Sequence, residues 1–140
     1  MGFAGANVTI PHKEAVGACC DELDEVATRS GSVNTLVFRD GRVFGSSTDG
    51  LAITSQVSAT GCRVLVLGTG GSAKAAADAL ASEGAEVAVR GRRDAVWPPS
   101  GEGIDVLVNC TPVKDDVLVA PVASMQVVDL AYNADGSPTA

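Results

Sequence analysis

Two side chains in this sequence could move a proton between them. Lys13 ends the tract Gly5-Ala6-Asn7-Val8-Thr9-Ile10-Pro11-His12-Lys13, which is mostly apolar or small. Asp49 lies in Ser47-Thr48-Asp49-Gly50, a turn leading into another apolar stretch. Delivered from two helix entrances, an ammonium and a carboxylate can converge on one cleft and work as a general acid/base pair. Each also has an ordinary reading, Lys13 as a solvated surface lysine and Asp49 as a turn or helix-capping residue. The role of His12 stays open.

A third tract offers phosphate chemistry. Gly68-Thr69-Gly70-Gly71-Ser72-Ala73 follows the apolar run Arg63 to Leu67 and precedes an alanine-rich stretch. That is the strand–turn–helix setting in which a glycine loop holds a dinucleotide. Gly68 permits the tight turn, and Gly70 lets the backbone approach a pyrophosphate. Gly71 opens the helix, where unpaired N–H groups and the helix dipole attract anions. Ala73 takes the place of the usual third glycine. The following strand closes with Arg90-Gly91-Arg92-Arg93, where a protein reading an unphosphorylated ribose would offer Asp or Glu. Guanidinium groups suit a 2′-phosphate, so NADP is expected rather than NAD. The competing reading is an exposed basic turn in an acidic protein.

The elements that must position these groups follow from pattern. Gly5 to Ile10 reads as a strand or extended loop. A helix is expected from His12 to Thr28, with Pro11 in its first turn and Val16, Cys19, Cys20, Leu23 and Val26 on one face. Its acidic run reads as a solvated face, and Gly31 as its C-terminal stop. Val33 to Arg39 and Arg42 to Gly45 flank Asp40-Gly41, the dipeptide of a type I′ hairpin turn. Leu51 to Val57 reads as a short helix, and Ser58 to Gly61 as the connector between two domains. Arg63 to Leu67 is a strand buried on both faces. Ser72 to Glu83 is a helix stopped by Gly84, and Glu86 to Arg90 completes a βαβ unit. Ile104 to Cys110 and Gln126 to Ala131 add two more strands. The fold class is therefore α/β. A Rossmann-like parallel sheet over 59–140, incomplete at its C-terminus, is preceded by part of a smaller α/β substrate domain over 1–58.

Composition bounds the rest. At 140 residues, 46% apolar and 19% charged, the chain has material for a packed core, and 4% aromatics means that Val, Ala, Leu and Gly must build it. A net charge of -7 argues against nucleic acid as a partner. No apolar run approaches the roughly 20 residues that span a bilayer, and the N-terminus has no signal-peptide pattern. Four cysteines without CxxC spacing and a single histidine make a zinc site unexpected. Cys62 and Cys110 read as small core residues, and a reduced, cytoplasmic protein fits this cysteine usage. Unfilled strand edges would allow a homodimer.

Taken in order, GANVTIPHKEAV, VNTLVFRDGRVFGSSTDG, VLGTGGSAKAAADAL, VNCTPV and VVDLAYNADGSPT closely resemble the successive motifs of shikimate dehydrogenases. The resemblance covers nearly the whole chain. It implies NADP-dependent, reversible reduction of 3-dehydroshikimate to shikimate in aromatic amino-acid biosynthesis. By position it makes Lys13 the acid/base at the carbonyl being reduced, with Asp49 orienting it and bonding the substrate hydroxyl. Thr9 and Asn34 resemble substrate hydrogen-bond partners, with Asn7 supporting that loop. Gly68, Gly70, Gly71 and Ala73 resemble the pyrophosphate loop, and Arg92, with Arg93 beside it, the 2′-phosphate turn. Thr111 and Pro112 resemble the loop along the cofactor, and Tyr132 the residue after the last strand.

The chain departs from the family at Ser47, where Asn usually precedes TDG, and at Lys114-Asp115, where a Gly-Met pair is usual. The serine-rich tract that grips the substrate carboxylate and the closing helices of the family have no counterpart here. The resemblance thus implies the middle half of the enzyme, binding NADP weakly and turning over little shikimate. Two other readings stand beside it: a quinate/shikimate dehydrogenase paralogue, and a non-catalytic dinucleotide-binding fragment.

Overall fold

The computed structural model describes residues 2–131; Tyr132 lies outside the described residues. Two four-stranded sheets organise the chain. The first has the order β1-β3-β4-β2, from β1 (Gly5–Asn7), β2 (Glu22–Leu23), β3 (Thr35–Arg39) and β4 (Arg42–Ser46). The second has the order β6-β5-β7-β8, from β5 (Arg63–Leu67), β6 (Glu86–Arg90), β7 (Val106–Asn109) and β8 (Gln126–Asp129). Its strands are all parallel. The helices are α1 (Glu25–Ser30), α2 (Asp49–Thr54) and α3 (Gly71–Ser82).

The hairpin forms as its sequence dictates. β3 and β4 pair antiparallel from Thr35↔Ser46 to Arg39↔Arg42, and Asp40 and Gly41 take φ of 54° and 73°. Both turn residues thus adopt the positive φ that a type I′ turn needs. β1 adds antiparallel to β3, with Asn7 opposite Thr35.

The helix expected from His12 to Thr28 does not form. Ile10, Pro11 and Lys13 lie in turns, Ala15–Cys19 makes a short 3₁₀ turn, and the chain then extends as β2 alongside β4 before α1 begins. The periodic apolar residues lost to backbone pairing with a distant strand. The N–H groups of Asp21 and Asp24 donate to the carbonyls of Val43 and Gly45. The side chains of the same two aspartates complete the switch. Asp21 accepts from Val43 N–H at 2.7 Å, and Asp24 caps α1 by accepting from Ala27 N–H at 2.6 Å. Asp and Asn compete with the helix in this way wherever their side chains reach backbone. Gly45 makes the close crossing possible, because a Cβ there would stand 2.7 Å from Cys20 Sγ and 2.8 Å from Leu23 Cδ2. Gly31 ends α1 at φ 64°, in the left-handed region, as its position foretold.

Around the second sheet, side chains alternate between two cores. Val64, Val66, Val106 and Val108 pack against Ala73, Ala76 and Leu80 of α3. Leu65, Leu67 and Leu107 face the other way, toward Val119, Met125 and Trp97. Ile53 of α2 and Val57 join the α3-side core, so the segment linking the two sheets is packed into the second. α2 begins at Asp49 and stops at Thr54, earlier than expected. β7 is shorter at both ends than its apolar run suggested, and β8 at its C-terminal end.

Candidate active site

The two sheets meet at the N-terminal end of α3, and the proton-transfer candidates meet there too. Lys13 Nζ donates to Asp49 Oδ2 at 2.5 Å, with side-chain exposures of 13% and 17%. A pair so far withdrawn from water interacts more strongly than a surface pair, which is worth only about 0–1 kcal/mol. Asn34 Nδ2 donates to the other carboxylate oxygen, Asp49 Oδ1, at 2.6 Å. Asn34 is itself held by Thr48, whose backbone N–H and hydroxyl donate to Asn34 Oδ1 at 3.2 and 3.3 Å. Thr35 Oγ1 donates to the same oxygen at 2.9 Å.

Two residues of this cluster carried no signal of their own in the sequence. Ser72 Oγ accepts from Lys13 Nζ at 3.0 Å and donates to Asp49 Oδ2 at 3.2 Å. Asp49 therefore receives three donors on a carboxylate with about four lone-pair sites, which leaves room for one more hydroxyl. Thr48, one residue before Asp49, fixes Asn34 rather than capping α2. Neither role is visible in spacing, because the partners lie far apart in sequence. Asn7 and Thr9 are exposed and do not line the cleft; Thr9 instead closes a turn by accepting His12 N–H at 2.9 Å through its carbonyl.

Lys13 opens onto a cleft of about 430 Å³ whose floor is the glycine loop. Gly68 takes φ 116°, and a Cβ on it would press to 3.2 Å from the backbone of Cys110. Gly70 precedes α3, and beyond its own chain neighbours nothing in the protein lies within 4 Å of the place its Cβ would take. That open space lies beside the free N–H groups of the first helical turn, which fits a phosphate. Ala73 points into the core instead, in keeping with the helix–sheet contact expected at the third position of such a loop.

Arg92 lines the cleft, while Arg93 is exposed on the same turn outside it. Asp94 shapes the turn: its carboxylate accepts Gly91 N–H and its own N–H donates to Gly91 O, each at 2.9 Å. Gly91 is buried against Thr69, whose Cγ2 would stand 2.6 Å from an added Cβ. Trp97, the chain's single tryptophan, completes this end of the cleft. On the opposite wall, Thr111 is held by the buried Asn109, which accepts its N–H at 3.0 Å and its hydroxyl at 2.7 Å. Cys110 lines the cleft between them, and burial first, then the nearby Asp49 carboxylate, pushes its thiol up to about 12.

Known proteins resemble this chain in both sequence and fold. The family described as "Shikimate dehydrogenase substrate binding domain" matches residues 1–36. The NADP(+) shikimate dehydrogenase of Gluconobacter oxydans (strain 621H) is 36% identical over 168 aligned positions, covering 98% of this chain and 60% of that protein. The corresponding enzyme of Acidiphilium cryptum (strain JF-5) is 50% identical over 97 positions, 66% of this chain and 35% of the relative. Among solved structures, the shikimate 5-dehydrogenase of Thermus thermophilus, in complex with NADP(H) and shikimate, superposes with a TM-score of 0.75. It is 32% identical, covering 93% of this chain and 59% of that one. The chain thus spans at most about 60% of the length of these relatives. With a parallel second sheet and a glycine loop opening α3, the chain is similar in sequence and fold to the shikimate dehydrogenases over nearly its whole length.

Proposed function

We propose that this chain carries the reaction centre of an NADP-dependent dehydrogenase that interconverts 3-dehydroshikimate and shikimate. The observation that carries the reading is the Lys13–Asp49–Asn34 cluster, whose Lys13 lines the same cleft as the glycine loop and Arg92. Residues 1–58 serve as the substrate side and 59–140 as the dinucleotide side. Gly68, Gly70 and Gly71 hold the pyrophosphate, Arg92 holds the 2′-phosphate, and Thr111 lines the nicotinamide side. NADP, when bound, supplies or accepts the hydride. Lys13 protonates the carbonyl oxygen as it is reduced, and takes the proton back in the reverse direction. Asp49 holds the ammonium in place and accepts the neighbouring substrate hydroxyl with its remaining lone pair. Asn34 fixes the carboxylate plane.

Four free thiols support a reducing, cytoplasmic setting. None of the helices among the described residues is long and apolar enough to cross a membrane. Self-association through the open edge strand β6 is part of the reading, since an unpaired edge templates a partner strand.

A single-turnover measurement at high protein concentration tests the function. Shikimate should reduce NADP+ slowly in the wild-type chain. Lys13→Ala should lower that rate by roughly 100-fold or more, the worth of a general acid/base. Reduction that ignores shikimate, or that survives Lys13→Ala unchanged, would overturn the reading.

A further inference from the structure

Of the side chains bonded to the Lys13–Asp49 pair, Asn34 comes from the same side of the cleft as the pair itself. Ser72 comes from the other. It is the second residue of α3, immediately after the glycine loop. Among the described residues, its hydroxyl makes the one polar side-chain contact from the second sheet's lobe to the pair. A hydroxyl carries one proton and two lone pairs, so Ser72 can accept from Lys13 and donate to Asp49 at the same time.

That double contact constrains the ammonium in a way that one partner cannot. An ammonium bonded to Asp49 alone can pivot about that bond as its flexible stem swings, and its other two N–H groups then change direction. Bonds at 2.5 Å to Asp49 and at 3.0 Å to Ser72 fix two of its three N–H directions. With both acceptors on one side of the nitrogen, the remaining N–H is left for the cleft that Lys13 lines. The frame holding Ser72 is itself tight. A Cβ on Gly71 would meet Ser32 Oγ at 2.7 Å and Lys13 Cβ at 3.0 Å, and one on Gly50 would meet Ala79 Cβ at 2.7 Å. α3 is thus packed against the chain beside both members of the pair.

We propose that Ser72 is a positioning residue, which aims the free N–H of Lys13 into the cleft and ties the pair to the glycine loop. This rests on the function proposed above, in which Lys13 handles the proton. A catalytic role for Ser72 is not implied, because it acts through Lys13.

The test reads Lys13 directly, without turnover. Each lysine's rate of acylation by an amine-directed reagent is followed by peptide mass spectrometry, with exposed Lys114 as internal standard. Ser72→Ala should label Lys13 roughly 3- to 10-fold faster, the worth of about one hydrogen bond. Ser72→Thr, which keeps the hydroxyl, should return to the wild-type rate. Ser72→Cys, close in size but a poor acceptor, should follow Ala and serves if Ala does not fold. Lys13 labelling at the wild-type rate in the folded Ala or Cys variant would overturn the proposal, as would a folded Thr variant that labels like Ala. The chain's affinity for NADPH, measured in parallel, tests the function separately: failure to bind would sink that reading and leave the labelling result standing.

Discussion

At the scale of single residues, the site works by withdrawing charged and polar groups from water and pairing them. Lys13 and Asp49 are mostly covered, and each oxygen of Asp49 has a named donor. Cys110 lines the same cleft, and burial holds its thiol neutral up to about 12. The direction has a consequence for stability. The thiol's ordinary value is 9.0, so the unfolded chain releases the proton first and the native state retains it. Stability from this group is complete below about pH 9 and is lost as pH rises toward 12. Alkylation should therefore modify exposed Cys19 rapidly at about pH 8 and leave Cys110 nearly untouched, with Cys110→Ala flattening the alkaline arm of the stability curve. Equal labelling of the two thiols under those conditions would contradict the burial argument.

Elements show where sequence was legible and where it was not. The β3–β4 hairpin and the β5–α3–β6 unit follow from local chemistry: a turn dipeptide that accepts positive φ, a glycine loop between an apolar run and an alanine-rich one. The segment from His12 to Thr28 did not follow, because its apolar spacing was helical while its backbone found partners on the distant strand β4. Ser72 was unreadable for the same reason. Its sequence context marks a phosphate loop, and only the docking of α3 against Lys13 gives its hydroxyl a second task. Lys13, Asp49 and Asn34 could be named from their motifs, but their convergence depends on packing between α2 and α3. Gly50 sets that packing. A Cβ there would stand 2.7 Å from Ala79 Cβ and 2.8 Å from Ala75 O, and backbone cannot yield as a flexible side chain would. Gly50→Ala should destabilise the chain by about 1–3 kcal/mol in denaturant unfolding, the usual cost of overpacking. A change within ~0.5 kcal/mol would show that α2 and α3 are free to separate.

For the whole molecule, the two sheets join along α3. Arg29 pairs with Asp78 at 3.2 Å, and Lys74 pairs with Glu14 at the rim of the cleft. These contacts are half-exposed and contribute little stability individually. What they do is hold the Lys13 side and the glycine-loop side of one cleft in register. We propose that this cleft takes a dinucleotide carrying a 2′-phosphate, read by Arg92. Trp97, the single tryptophan, lines it and reports binding through its emission. Titrating the chain with NADPH and with NADH is the most direct test. NADPH should bind more tightly, and Arg92→Ala should lose roughly 10-fold or more for NADPH alone, the worth of a charge-assisted hydrogen bond. Equal affinity for the two cofactors, or an Arg92→Ala loss shared equally between them, would contradict it.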